Sequence, residues 1–145
     1  MGRIVVGVDG SENGTAALNW AIDEVRHRDG PAAVEVVMAW HEPVTGGTVP
    51  AMVAIDIEQF EASYREHLDS IVGPVREANP DVEIKAYLGR GSASQVLLDA
   101  ADGADLLVVG SRGHGGFIGL LLGSVSNQVV NHASCPVVVV PAPDA

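Results

Sequence analysis

The sequence predicts a doubly wound α/β sheet of five parallel strands, ordered 3-2-1-4-5, with helices on both faces. Apolar periodicity switches between strand-like and helix-like along the chain, with no low-complexity linker and no internal repeat. Residues 3–8 (RIVVGV) and 105–110 (DLLVVG) are apolar on both faces, as central strands of a parallel sheet are. Residues 82–88 instead alternate, with Val82, Ile84, Ala86 and Leu88 against Glu83, Lys85 and Tyr87, so one face is wet and the strand belongs at an edge.

The elements follow in order. After the first strand, Ser11 is placed to cap a helix whose apolar positions Ala17, Leu18, Ala21, Ile22 and Val25 recur at helical spacing until Gly30-Pro31 stops it. Residues 34–40 (VEVVMAW) form the second strand. Residues 41–52, with Pro43, Gly46, Gly47 and Pro50, are a loop long enough to be functional or mobile. A long helix then carries Ile57, Phe60, Tyr64, Leu68, Ile71 and Val75, with Pro74 expected to kink it or end it early. The edge strand, a short helix over 92–101, the second central strand, a helix over Ser124–His132 and a last strand over 136–140 complete the pattern. If the two central strands are adjacent, the topological switch point lies between them, and ligands of open α/β sheets bind there, outside the carboxyl ends of the strands. Asp9-Gly10-Ser11 and the segment beginning at Gly110 meet at that point.

Composition bounds the rest. A chain of 145 residues, 47% hydrophobic and 19% charged, is expected to be one globular domain over residues 1–145. The apolar runs are strand-length, so no membrane span is expected, and the N-terminus enters a strand pattern with no room for a signal segment. Cys135 is the single cysteine, which suits a reducing, cytoplasmic setting, and before Pro136 it is expected to be a small buried hydrophobe. The net charge is −11, and seven arginines and one lysine are scattered without a basic stripe, which argues against nucleic acid. A small anion would need local backbone donors. The histidines His27, His41, His67, His114 and His132 show no ligand spacing, and no zinc site is expected.

Residues 110–130 (GSRGHGGFIGLLLGSVSNQVV) supply a setting for such donors. Gly110 and Gly113 would allow close approach after the fourth strand, and Gly123-Ser124 opens the next helix, where Ser124 or Ser126 could cap the helix or donate to an anion. Spelling excludes a Walker loop, which needs a lysine, the G-x-G-x-x-G fingerprint and a G-x-S-x-G elbow. Glycines after a strand can equally be plain turn residues. Asp9 is either a turn carboxylate bonded to local backbone or a ligand contact. Arg112 and His114 either reach a γ-phosphate or are solvated loop tips. Trp20 and Trp40 read as packing, with Trp40 able to border the cleft.

The spacing present is G-x2-G-x9-G-S, at Gly110, Gly113, Gly123 and Ser124. Together with the opening IVVGVDGS, the turn VVGSRGHGG and the close GSVSNQVVNHASCPVVVV, it resembles the universal stress protein family over essentially the whole chain. The resemblance implies a Rossmann-like sheet, a homodimer, and bound ATP with a divalent metal, here Mg2+. It places Asp9 at the nucleoside side or the metal and Ala39 against the adenine through its backbone. Gly110, Gly113, Gly123, Ser124, Val125 and Ser126 would line the phosphate and ribose path, with Val8 and Val109 as apolar neighbours of the base.

The last strand, Val137–Val140, is an apolar edge by the predicted order and would invite aggregation unless covered. A partner subunit pairing edge to edge would cover it and give a two-fold dimer; a loop or the C-terminal tail is the alternative. The function implied is a cytoplasmic homodimeric nucleotide sensor in stress response, acting with an unidentified regulatory partner. No committed catalytic set is legible, so ATP hydrolysis should be slow at most. The alternatives are a phosphohydrolase or nucleotidyl transferase using Asp9, Arg112 and His114, and a nucleotide-free interaction module.

Overall fold

A computed structural model describes residues 2–41, 57–112 and 122–143. The elements run β1 (Gly2–Gly7), α1 (Glu12–Arg26), β2 (Ala32–Trp40), α2 (Ile57–Ala78), β3 (Glu83–Arg90), α3 (Ala93–Ala101), β4 (Leu106–Gly110), α4 (Ser124–His132) and β5 (Val137–Val140). The strands form one parallel sheet in the order β3-β2-β1-β4-β5, as the sequence predicts. β1 and β4 are neighbours, Ile4 facing Leu106 and Val6 facing Val108, so the chain reverses direction of winding between them.

Residue parity along β1 decides which core each side chain enters, because successive strand residues point to opposite faces. Ile4, Val6 and Val8 join Val34, Val36 and Met38 of β2 under α1 and α2. Val5 joins Val37, Leu107 and Val109 under α3 and α4. Burial on both faces is what makes these strands continuously apolar. β3 is an edge, and its outward residues Glu83, Lys85 and Tyr87 are exposed. The edge at β5 is different: all four valines are half-buried, and none is fully covered. Cys135 is likewise half-buried, packed at the fringe of the α3–α4 core, and burial raises its thiol pKa.

α2 continues through Pro74 to Ala78 and does not stop early. Gly73 precedes the proline and has no Cβ to meet the proline ring, which relaxes the usual pre-proline restriction. Pro74 and Ser70 are both exposed, so the carbonyl deprived of its helical donor can be met by water.

One ionic staple fastens the end of the sheet opposite the switch-point crevice. Glu35 is buried on β2, and the Arg3 guanidinium reaches it at 2.7 Å while also donating to the carbonyls of Ala100 and Asp102 at 2.9 and 2.6 Å. Arg3→Met should therefore strand a buried carboxylate. Because the Arg3 side chain is about a third exposed, the expected loss is discounted to about 2 kcal/mol. Urea unfolding of the variant measures it.

Candidate functional site

The site is built where β1 and β4 end. β1 passes one more ladder bond beyond its last residue, Val8 N–H donating to the Val37 carbonyl at 3.0 Å. The chain then turns sharply, helped by Gly10 at φ +89°. Asp9 is exposed, and its Oδ1 accepts from the Ser11 N–H at 2.9 Å. Ser11 in turn caps α1, its Oγ accepting from Gly14 N–H at 3.1 Å. The turn role of Asp9 is thus observed. The residue remains exposed just past the carboxyl end of β1.

Across the switch point, the segment that leaves β4 is pinned at both ends. Ser111 N–H donates to the Val140 carbonyl at 2.8 Å, and the Ser111 carbonyl accepts from Gly123 N–H at 2.6 Å. Ser126 Oγ–H lies within reach of the carbonyls of Ser111 and Gly123, at 2.9 and 3.0 Å. Ser126 is buried with its hydroxyl directed at its own turn, while Gly123 takes the N-cap position. Its single proton is committed to backbone carbonyls.

Gly123 is the N-cap of α4 and, being glycine, brings no side-chain oxygen to cap it. α1 and α3 differ: Ser11 and Ser92 each accept a first-turn N–H. Among the described residues, the first turn of α4 therefore presents the N–H groups of Ser124, Val125 and Ser126 with no side-chain oxygen from its N-cap residue, and Gly123 ties that turn to Ser111 just past β4. Ser124 is exposed and Val125 half-buried. This arrangement can hold an anion by backbone donors at a helix N-terminus.

The remaining predicted residues fall around this centre. Gly110 faces Val140 in register at the end of β4, and Arg112 follows with its N–H donating to Asn13 Oδ1 at 2.7 Å. Val8 and Val109 are both buried, but in the cores of opposite sheet faces. Ala39 is half-buried on β2, level with Gly89 of β3. The neighbouring Trp40 is buried, its ring 6.2 Å from that of Tyr64 and covered by the Arg90 guanidinium at 5.6 Å. It packs as expected. Gly113, His114 and most of the loop after β2 lie outside the described residues.

Asn13 and Ser111 were not singled out by the sequence reading. Asn13 Oδ1 also accepts from Ser111 Oγ at 3.2 Å, and Asn13 Nδ2 donates to the Val140 carbonyl at 3.0 Å. A signal existed. Asn13 sits on the buried stripe of α1 four residues before Ala17, and a polar residue on an apolar stripe must find partners. Among the described residues, no cluster of three His, Cys, Asp or Glu gathers as a metal site. No helix among them is long and apolar enough to cross a membrane.

Comparison with known proteins agrees with this architecture. The model of the universal stress protein family matches residues 1–141. A universal stress protein of Mycolicibacterium smegmatis is 36% identical over 137 residues, covering 94% of this chain and 45% of that protein. One from Mycobacterium tuberculosis is 32% identical over 139 residues, 96% of this chain and 48% of its own length. The chain thus spans about half the length of the curated relatives it matches. Among solved structures, UspA from Lactobacillus plantarum superposes with a TM-score of 0.82 at 21% identity over 96% of this chain and 97% of its own, a likeness of fold. The Archaeoglobus fulgidus universal stress protein, solved in complex with dAMP, is 26% identical with a TM-score of 0.62 over 96% of this chain and 97% of its own. By sequence, by strand order and by the family model, the chain belongs to the universal stress protein family.

Proposed function

We propose that this chain binds ATP with Mg2+ in the crevice between β1 and β4 and works as a nucleotide-dependent regulator in the cytoplasmic stress response. The observation that carries the reading is the N-terminus of α4, whose N-cap Gly123 has no side-chain oxygen and donates to Ser111 just past the end of β4. Its first-turn N–H groups offer a triphosphate the local donors that a chain of net charge −11 does not supply through its overall field. The dAMP complex of the Archaeoglobus fulgidus relative supports a nucleotide as the ligand class. ATP in particular is inferred from the intact G-x2-G-x9-G-S spacing at Gly110, Gly113, Gly123 and Ser124.

The donor set fits a metal that arrives with the phosphates. Asp9 offers one exposed carboxylate, and a hard cation such as Mg2+ is commonly held by one or two carboxylates plus phosphate oxygens and water. Mg2+ would offset the triphosphate charge. Asp9→Ala should then lower ATP affinity about tenfold in excess Mg2+ and change it less than about twofold in EDTA. Titration calorimetry under both conditions tests this. Equal loss in both would remove Asp9 from the metal.

The half-buried valines of β5 support a homodimer paired edge to edge, since among the described residues the sheet ends in four apolar residues at its β5 edge. A regulatory protein partner, unidentified, would read the nucleotide state. The sequence carries no Walker lysine and no committed catalytic set, so any hydrolysis should be slow enough to act as a timer.

A further inference from the structure

Asn13 is only 6% exposed, and its amide is engaged on both sides. It sits in the first turn of α1, yet its partners belong to other elements. Oδ1 accepts from Arg112 N–H at 2.7 Å and Ser111 Oγ–H at 3.2 Å, where the glycine segment begins. Nδ2 donates at 3.0 Å to the carbonyl of Val140, the last residue of β5. That carbonyl also accepts from Ser111 N–H at 2.8 Å, and the Ser111 carbonyl accepts from Gly123 N–H, the N-cap of α4. One hydrogen-bonded network therefore runs from the end of the edge strand, through Asn13, to both ends of the segment that would enclose the phosphates.

We propose that Asn13 is a positioning residue that couples nucleotide affinity to the order of the β5 edge. The inference rests on the nucleotide reading above. An amide is suited to the position because it must accept toward Arg112 and donate toward Val140 at once. The Asn13 amide is itself buried, so losing one partner leaves its polar atoms unmet, which favours the network holding together or opening as a unit. A ligand held between Gly110 and the N-terminus of α4 should then firm up β5. By reciprocity, a strand paired on β5 should raise ligand affinity.

Alanine at position 13 removes both side-chain halves of the link and leaves the Ser111 N–H to Val140 carbonyl bond as the remaining tie. Aspartate keeps the acceptor for Arg112 N–H but sets a carboxylate against the Val140 carbonyl, so it should free β5 while sparing the start of the segment. Val72 is fully buried in α2 and takes no part in these hydrogen bonds, which makes Val72→Ala a control for general loss of stability.

The test uses the full chain with ATP and Mg2+, following affinity by calorimetry and amide exchange of residues 137–140 by mass spectrometry, well below the thermal transition. In the unaltered chain, ATP should slow exchange in β5. Asn13→Ala should weaken ATP at least about tenfold and abolish that protection, and Asn13→Asp should lose the protection with a smaller loss of affinity. Val72→Ala should keep both within about twofold. If the unaltered chain binds ATP but β5 gains no protection, or Asn13→Ala binds within about twofold of it, the coupling is wrong and the nucleotide site stands. The coupling is equally wrong if Val72→Ala loses as much as Asn13→Ala. An unaltered chain that binds no nucleotide overturns both.

Discussion

Gly110→Ala is expected to destabilise the fold by about 3 kcal/mol. A Cβ at this position would stand 2.6 Å from Asn13 Cγ, 2.8 Å from Nδ2 and 2.9 Å from Oδ1, closer than real side chains pack. A flexible neighbour could swing aside cheaply, but Asn13 is buried and holds Val140, Ser111 and Arg112. Moving it breaks all three contacts and leaves the buried amide without partners. The glycine is therefore required by close approach, whatever the ligand. Urea unfolding measures the loss, and a change below about 1 kcal/mol would mean that Asn13 yields easily.

Gly123→Asp should move stability and nucleotide affinity in opposite directions. Gly123 has φ −73° and ψ 173°, extended backbone that any residue adopts, so the substitution is not strained. An aspartate there becomes the cap that α4 lacks, accepting first-turn N–H groups and placing negative charge at the positive end of the helix. The fold should gain a few tenths of a kcal/mol up to about 1. The same carboxylate takes the donors proposed for phosphate and repels it, so ATP affinity should fall at least about a hundredfold. Calorimetry and thermal melts on one preparation read both signs. A cap that stabilises the helix without weakening ATP would place the phosphates elsewhere.

Strand order was legible because burial writes itself into polarity. β1 and β4 are covered on both faces and carry no polar alternation, while β3 shows its wet face through Glu83, Lys85 and Tyr87. Helix starts were legible where a side chain does the capping, at Ser11 and Ser92. The switch-point placement of Asp9, Gly110 and Gly123 followed from the order of elements alone. What could not be read was where hydroxyls and amides point. Ser124 and Ser126 are equivalent in composition, yet helical geometry exposes one and turns the other onto the Ser111 carbonyl. Asn13 reaches residues about a hundred and more positions away, a pairing that exists only once β4 and β5 lie side by side. Of the two outcomes expected at Pro74, a kink or an early end, the early end does not occur: α2 runs on to Ala78, with Gly73 before the proline and Ser70 at water.

The most direct test of the nucleotide site is the content of the protein as purified. The chain is isolated without added nucleotide, denatured, and its released small molecules are identified by chromatography and mass spectrometry, with Gly123→Asp treated in parallel. The expected result is ATP from the unaltered chain in an amount approaching one per subunit, and none from the variant. A monophosphate or cyclic nucleotide in its place would keep the crevice and change the ligand. No nucleotide from the unaltered chain, and no binding when ATP and Mg2+ are then supplied, would contradict the reading and leave the glycine segment as a turn in a protein-interaction module.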